Sequence, residues 1–140
     1  MPKLIMMQGL PCSGKTEWAT AWACAKHNRL RVSWTDMLSL IGGGKFQRER
    51  RPLAFDATLR LMSNALRGGM DVVLDECNLN AVEYGLFVAK AQQLHANVEW
   101  HRMLATSEEC KRRSALHEHP VADLVIDRMA ERYAAILKQK

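Results

Sequence analysis

The chain has 140 residues, enough for one domain with one hydrophobic core and too few for a substantial second domain. Hydrophobic residues make up 48% and charged residues 25%, which is the balance of an ordinary soluble globular protein. The net charge of +5 favours polyanionic partners, but many unrelated small proteins are equally basic, so charge alone does not decide the function.

Cysteine usage and the first residues exclude several classes of protein. The four cysteines lie far apart, with no Cys-x-x-Cys pair and no zinc-ligand spacing, so neither a disulfide framework nor a structural zinc site is expected. A reducing cytoplasm is therefore the predicted location. The apolar run Leu4–Met7 is too short for a signal peptide or a membrane span, so we expect no membrane partner.

Short apolar runs alternate with helical patterns along the whole chain. The predicted strands are Leu4–Met7, Leu30–Trp34, Met70–Leu74 and Val98–Leu104. The predicted helices run from Lys15 to about Asn28, from a cap at Thr35 or Asp36 to Gly42, from Pro52 to about Arg67, from Ala81 to His95, onward from Ser107, and from Val121 to Leu137. This alternation predicts an α/β domain over residues 1–140, with a mainly parallel sheet flanked by helices.

The residues after the first predicted strand carry the strongest motif. Residues 9–16 fit G-x-x-x-x-G-K-[ST], in which glycines let backbone N–H groups curl around a phosphate and the following helix adds its positive end. A chance match is the alternative, and the strand before and helix after the motif argue against it. We therefore predict a site for ATP or another NTP with Mg²⁺. The predicted nucleotide-binding residues are Gly9, Pro11, Cys12, Ser13, Gly14, Lys15 and Thr16, with Lys15 also catalytic and Thr16 also a Mg²⁺ ligand.

Three acidic residues follow predicted strands. Asp36 follows the second strand, and Asp75 and Glu76 follow the third. Ligands of α/β sheets lie at the carboxyl ends of the strands, so these carboxylates are expected to project toward the phosphate loop. Asp36 is the candidate general base for an attacking hydroxyl, and Asp75 or Glu76 the candidate Mg²⁺ ligand. The alternative for all three is a helix-capping role.

The segment after the third strand resembles a known family. Residues 72–80 read V-V-L-D-E-C-N-L-N and are similar to the V-V-x-D-D-T-N-L-N segment of phage-type polynucleotide 5′-hydroxyl kinases. The phosphate loop with Glu17–Ala19, and the final segment from Pro120 to Tyr133, also look like that family's kinase domain. The resemblance covers nearly the whole chain in order. The phosphate loop is generic to many kinases, whereas Asn78–Asn80 and Arg128–Met129 discriminate better.

The resemblance implies a four-stranded P-loop kinase fold with a helical lid, acting in nucleic acid repair. It implies that Asp36 is the general base, that Glu76 matches the second acidic residue, and that Arg112 is the catalytic lid arginine that binds the transferring phosphate. Two features depart from the family. Ser39 stands where the family often has an arginine for the acceptor phosphate, and Leu116 and His117 stand where a further lid arginine is common. No D-x-D-x-T segment is present, so the phosphatase half of some members is not expected.

The implied partner is the 5′-hydroxyl end of DNA or RNA. The candidate acceptor-binding residues are Trp34, Asp36, Glu76, Arg48, Arg50 and Arg51. The alternatives are that the arginines are solvated loop residues and that Trp34 packs in the core. Two other functions stay open: a P-loop kinase for a small hydroxyl compound, and a nucleotide-binding regulatory module without turnover. The sequence does not predict the preferred NTP or the oligomeric state.

Overall fold

The computed structural model describes residues 1–139, in which four parallel strands form one sheet in the order β2-β3-β1-β4. The strands are β1 (Lys3–Gln8), β2 (Arg29–Val32), β3 (Asp71–Leu74) and β4 (Asn97–Arg102). β1 pairs with β3 through Leu4–Val72 and with β4 through Leu4–Val98. The predicted α/β class with a four-stranded parallel sheet is confirmed.

Within residues 1–139, six α-helices and one 3₁₀ turn connect and flank the strands. They are α1 (Lys15–Cys24), α2 (Trp34–Ile41), the 3₁₀ turn Arg48–Arg50, α3 (Arg51–Arg67), α4 (Ala81–Gln93), α5 (Ser107–Ala115) and α6 (Asp123–Lys138). Pro52 lies in the first turn of α3, where its missing N–H costs nothing, and Gly68 caps the C-terminal end. The predicted first helix is four residues too long, and the last begins two residues later than predicted.

The start of α2 differs from the sequence prediction. Trp34 was expected to end the second strand, but it is the first residue of α2. The cap is Ser33, neither Thr35 nor Asp36: Ser33 has extended backbone, and its hydroxyl accepts a hydrogen bond from Asp36 N. The apolar ring of Trp34 continues the hydrophobic pattern of the strand, so periodicity alone puts this boundary too late.

Both faces of the central strands are buried. On one face Leu4 and Met6 pack with Phe87 of α4 and Met62 of α3. On the other face Ile5 and its neighbours pack against α1. Each fully buried side chain of this size stabilises the fold by about 1.5–3 kcal/mol. Two-sided burial explains why the strands read as continuous apolar runs instead of alternating ones.

A smaller apolar cluster fixes α5 and α6 beside the loop that follows β1. Leu10 of that loop packs with Leu79, Cys110, Ile126 and Tyr133. The Tyr133 hydroxyl also donates to the Met103 carbonyl at 3.0 Å. Over residues 1–139, no helix combines the length and apolarity needed to cross a membrane.

Candidate active site

The loop between β1 and α1 curls around an open centre. Gly14 has φ 96° and Cys12 has φ 62°, both in the left-handed region that glycine adopts without strain. Gly9 is crowded, because a Cβ there would lie 3.0 Å from the Met103 Cβ and 3.2 Å from the Met103 carbonyl oxygen. Gly14 occupies the N-cap position of α1 and offers no capping side chain, so the first N–H groups of the helix remain available to an anion.

Lys15 and Ser13 place buried polar groups in this loop. Lys15 is 7% exposed, and its ammonium donates to the Leu10 carbonyl at 2.5 Å. The hydroxyl oxygen of Ser13 is buried without a hydrogen-bond partner within the described residues. A buried orphan hydroxyl is costly unless a ligand satisfies it, and an anion in the loop would do so. A cleft of about 930 Å³, large enough for a nucleotide, opens from Gly14–Thr16 toward Arg113.

Thr16 and Asp75 meet at the carboxyl edge of the sheet. The Thr16 hydroxyl donates to Asp75 Oδ2 at 2.8 Å, and the Asp75 side chain is only 3% exposed. A hydroxyl beside a carboxylate suits Mg²⁺, which prefers oxygen ligands and keeps substrate phosphates and waters in its shell. Across residues 1–139, no group of three or more His, Cys, Asp or Glu side chains is placed to hold a metal ion. The Thr16 hydroxyl and the Asp75 carboxylate offer two oxygen ligands of the kind that fit Mg²⁺.

Glu76 faces the first turn of α2. Oε2 accepts from the Ser33 hydroxyl at 2.7 Å and from Thr35 N at 2.9 Å, and Oε1 accepts from the Thr35 hydroxyl at 2.8 Å. Burial raises the pKa of the Glu76 carboxyl above its ordinary value, against the opposing effect of these hydrogen bonds. Both oxygens are engaged by the helix that carries Asp36. Glu76 therefore contacts the first turn of α2, whereas Asp75 is the carboxylate that is hydrogen-bonded to Thr16.

Asp36 lies in the first turn of α2, with its side chain 60% exposed. Its carboxylate does not cap the helix, because Ser33 does, so the capping alternative for Asp36 is wrong. Asp36 Oδ2 instead accepts from Arg31 Nη1 at 2.6 Å. Arg31 also donates to Asp75 through Nε at 2.9 Å and Nη2 at 2.6 Å. Sequence reasoning missed Arg31; the available signal was an arginine in the middle of β2, between Leu30 and Val32 and five residues before Asp36.

The two arginines of α5 take different positions. Arg112 is 63% exposed and binds Glu109 through Nε at 2.9 Å and Nη2 at 2.5 Å. Arg113 also binds Glu109, and its Nη1 reaches the Cys12 carbonyl at 3.4 Å. Hydrogen bonds from Arg112 and then Arg113 lower the pKa of Glu109 to about 2. Arg113 therefore borders the phosphate loop, and Arg112, the residue chosen from sequence, points away from it.

The positions of Arg112 and Arg113 around the α5 helix distinguish the two residues, and the sequence alone gives those positions. Cys110 and Ser114 are the buried residues of α5 and mark its inward face. Arg113 lies three residues after Cys110 and beside Ser114, so it flanks that face, whereas Arg112 lies on the opposite side.

The acceptor candidates do not form one cluster. Trp34 is 8% exposed and packs in the core against Phe55 and Phe87, with ring centroids 5.1 and 5.6 Å away. Arg51 binds Glu83 at 2.5 Å. Trp34, Glu76 and Arg51 border a hollow of about 240 Å³, which Met129 and Arg132 of α6 also line.

The other acceptor candidates lie outside that hollow. Asp36 borders a separate hollow of about 300 Å³ together with Arg31, Met37, Leu40 and Leu61. Arg50 donates to the Ile41 carbonyl at 3.3 Å, and Arg48 is exposed in the 3₁₀ turn. Neither Arg48 nor Arg50 lines either hollow.

The glycine loop, the buried lysine and the Thr16–Asp75 pair at the edge of a parallel sheet define a P-loop kinase fold. The chain belongs to the family described as AAA domain, whose profile matches residues 4–136. A search of curated proteins gives no match to the sequence.

Solved kinase structures share this fold at low sequence identity. A chain of the Pnkp1/Rnl/Hen1 RNA repair complex has a TM-score of 0.88 and 17% identity, over 99% of this chain and 46% of that one. The APS kinase CysC of Mycobacterium tuberculosis, in complex with AMPPNP and APS, has a TM-score of 0.65 and 14% identity, over 82% of this chain and 69% of that one. A gluconokinase from Sinorhizobium meliloti has a TM-score of 0.59 and 15% identity, over 94% of this chain and 74% of that one. The protein thus spans less than half of the RNA repair chain, and these similarities establish the fold alone.

Proposed function

We propose that this protein transfers the γ-phosphate of ATP or another NTP to the 5′-hydroxyl end of a polynucleotide. The observation that carries this proposal is the placement of two carboxylates. Asp75 binds the Thr16 hydroxyl at the phosphate loop, and the exposed Asp36 carboxylate is joined to it through a single guanidinium. Phosphoryl transfer needs such an arrangement, with the donor's metal on one side and a proton acceptor for the attacking hydroxyl on the other.

The donor side uses backbone and buried cations. The N–H groups of the loop, including Ser13 and Gly14, face the donor phosphates, and Lys15 binds the β- and γ-phosphates. Thr16 and Asp75 would hold Mg²⁺, which neutralises charge on the phosphates when it is bound. Ser13 supplies the buried hydroxyl that has no partner within residues 1–139.

The acceptor side uses Asp36 as the general base. Its carboxylate is 60% exposed, so an incoming hydroxyl can reach it without displacing a neighbouring helix. Glu76 contributes indirectly, because its three hydrogen bonds to Ser33 and Thr35 hold the first turn of the helix that carries Asp36.

An arginine of α5 stabilises charge on the transferring phosphate. Arg113 lies beside Cys12 and close to Gly14, with Nη1 3.7 Å from the position a Cβ would take at Gly14. Arg112 fills this role in the family resemblance, but here it pairs with Glu109 away from the cleft. We assign the role to Arg113, with α5 and α6 as the helical lid. Kinetics of the Arg113→Ala and Arg112→Ala variants distinguish the two arginines.

Four observations support a nucleic acid acceptor. The net charge is +5, and Arg48, Arg50 and Arg51 follow one another closely at the start of α3. Residues 72–80 resemble those of polynucleotide kinases, and the fold is shared with a chain of an RNA repair complex.

All four cysteines are free thiols, which supports a cytoplasmic setting.

A small hydroxyl compound is the second candidate acceptor. The hollow beside Asp36 measures about 300 Å³, at the low end of the range of small-molecule sites, and the hollow beside Glu76 is smaller, about 240 Å³. APS kinase and gluconokinase share the fold as well.

A labelled-phosphate assay distinguishes the two acceptors. The protein is incubated with γ-labelled ATP and Mg²⁺, with a panel of 5′-hydroxyl DNA and RNA oligonucleotides and, separately, with small hydroxyl metabolites. We expect label on the oligonucleotides and none with Lys15→Ala. Transfer to a metabolite with no transfer to any oligonucleotide, by protein that binds ATP, contradicts the polynucleotide proposal and supports the second candidate.

A further inference from the structure

Arg31 is a charged residue inside the site that neither the motif nor the family resemblance assigns. It lies on β2, and its side chain is 22% exposed. Its guanidinium makes hydrogen bonds to two carboxylates on different elements, Asp75 after β3 and Asp36 on α2. These three bonds use three of its five N–H donors.

The two carboxylates differ in how far they are fixed without Arg31. Asp75 is 3% exposed and also accepts from Thr16, so the surrounding structure already holds it. Asp36 is 60% exposed, and Arg31 is the side chain that hydrogen-bonds to its carboxylate within the described residues. An exposed aspartate otherwise samples several rotamers. Removing Arg31 should therefore disturb Asp36 more than Asp75.

We propose that Arg31 is a positioning residue that holds the Asp36 carboxylate in its reactive orientation by tying it to the buried Asp75. This inference rests on the proposed role of Asp36 as general base, but not on the identity of the acceptor. A bridge of this kind needs a planar cation with donors on two edges. Arginine has them, and lysine offers one compact charge that cannot span both carboxylates in the same way.

Kinetics of a double-mutant cycle test the proposal. Arg31→Gln should lower kcat by about 10²-fold, the cost of a misplaced reacting group, and leave the KM for ATP within about threefold. Asp36→Asn should lower kcat by about 10²–10⁴-fold. Because Arg31 acts through Asp36, the double variant should be no slower than Asp36→Asn alone, within about threefold. Multiplicative losses, or an unchanged kcat in Arg31→Gln, overturn the proposal.

Two further variants separate positioning from general effects of charge. Arg60→Gln removes an equal charge from an exposed ion pair with Asp56 on α3 and should leave kcat unchanged. Arg31→Lys should keep the charge and the fold but recover less than a tenth of the lost kcat. If Arg31→Gln does not fold, as judged by circular dichroism, Arg31→Lys takes its place in the double-mutant cycle. Full recovery of kcat in Arg31→Lys overturns the bridge.

Crystal structures of Arg31→Gln and Arg60→Gln give a readout that needs no acceptor. The Asp36 carboxylate should leave its wild-type position in Arg31→Gln and keep it in Arg60→Gln, while Asp75 stays on Thr16 in both. An unmoved Asp36 in Arg31→Gln overturns the proposal. If the wild type phosphorylates no oligonucleotide, the polynucleotide function fails on its own, and the same cycle is run on the metabolite that is phosphorylated.

Discussion

The donor side and the acceptor side of the candidate site are built in different ways. The donor side is a continuous loop of eight residues, 9–16, and Thr16 at its end is hydrogen-bonded to Asp75 after β3. Its chemistry comes mostly from backbone N–H groups and a single lysine. The acceptor side brings together side chains from β2, α2, α3, the residues after β3, and α6. A backbone site can be read from local spacing, whereas a site of side chains depends on tertiary packing.

The difference extends to what holds each side. On the donor side, Leu10 packs with Cys110 and Ile126, so the loop has an apolar base formed by α5 and α6. On the acceptor side, buried and half-buried ionic groups hold α2: Glu76 binds its first turn, and Arg31 binds Asp36. The backbone geometry of the phosphate loop should therefore depend little on polar groups around it, and the position of α2 should respond to loss of Glu76 or Arg31. Five predictions test this contrast.

Lys15→Ala should have the largest effect and abolish phosphoryl transfer. The ammonium is the buried cation of the loop, and the proposed function assigns it to the β- and γ-phosphates. The variant should keep its fold, since no apolar packing is lost, and circular dichroism would verify this. Lys26→Ala, an exposed lysine after α1, is the matched control and should keep full activity. A wild-type turnover number in Lys15→Ala contradicts the assigned donor site.

Arg113→Ala should lower kcat far more than it weakens ATP binding, because the charge on the transferring group peaks in the transition state. Arginines in this role are worth about 10³–10⁵ in kcat. Arg112→Ala is the matched control: it also breaks an ion pair with Glu109, but Arg112 does not line the cleft. A larger kcat loss in Arg112→Ala would favour the family alignment and require α5 to rotate when the nucleotide binds.

Asp36→Asn should lower kcat by about 10²–10⁴-fold and leave nucleotide binding nearly unchanged. Asparagine keeps the size of the side chain and can still accept from Arg31, but it is no proton acceptor. The measurement is single-turnover transfer together with titration of ATP binding. If ATP affinity falls as far as kcat, Asp36 serves the donor side and the division between the two sides is wrong here.

These three variants also separate what the sequence predicts from what only the folded structure reveals. The loop and strands were predictable, because glycine spacing and apolar runs are local. Arg31 and the role of Glu76 were not, since each depends on which side chains packing brings together. The start of α2 was placed late because Trp34 is apolar in strand and helix alike. The position of Arg113 could be predicted from its place around the α5 helix. The Asp36–Arg31–Asp75 bridge could not be predicted from sequence, because Arg31 and Asp75 lie 44 positions apart.

Glu76→Gln should change the pH dependence of stability. Burial raises the folded-state pKa of Glu76 above 4.5, so the folded protein holds a proton there that the unfolded chain has released. The stabilisation is complete below the unfolded pKa and is lost as pH rises through the folded pKa, by about 1.4 kcal/mol per unit of pKa shift. Urea unfolding of the wild type should show this fall toward neutral pH, and Glu76→Gln should flatten it.

The matched control for that experiment is Glu49→Gln, in the exposed 3₁₀ turn. Its stability should follow the wild-type pH curve. A wild-type curve that rises over the same interval, relative to Glu76→Gln, would mean that the hydrogen bonds from Ser33 and Thr35 outweigh burial. The carboxylate would then be an ionised anchor for α2.

The smallest expected effect concerns the arginines before and at the start of α3. Arg48, Arg50 and Arg51 lie outside the donor cleft, so they should act on acceptor binding alone. Each contact to a single-strand phosphate releases counterions and contributes a slope of about −0.7 to log K against log salt. Changing all three to Gln should flatten the salt dependence of the oligonucleotide KM and leave the KM for ATP unchanged. Arg60→Gln with Arg67→Gln, further along α3, should leave that slope as it is, because neither residue lines the donor cleft or the hollows beside Asp36 and Glu76. A wild-type slope in the triple variant would mean that these arginines do not hold the strand, and Arg132 beside the Glu76 hollow becomes the next residue to change.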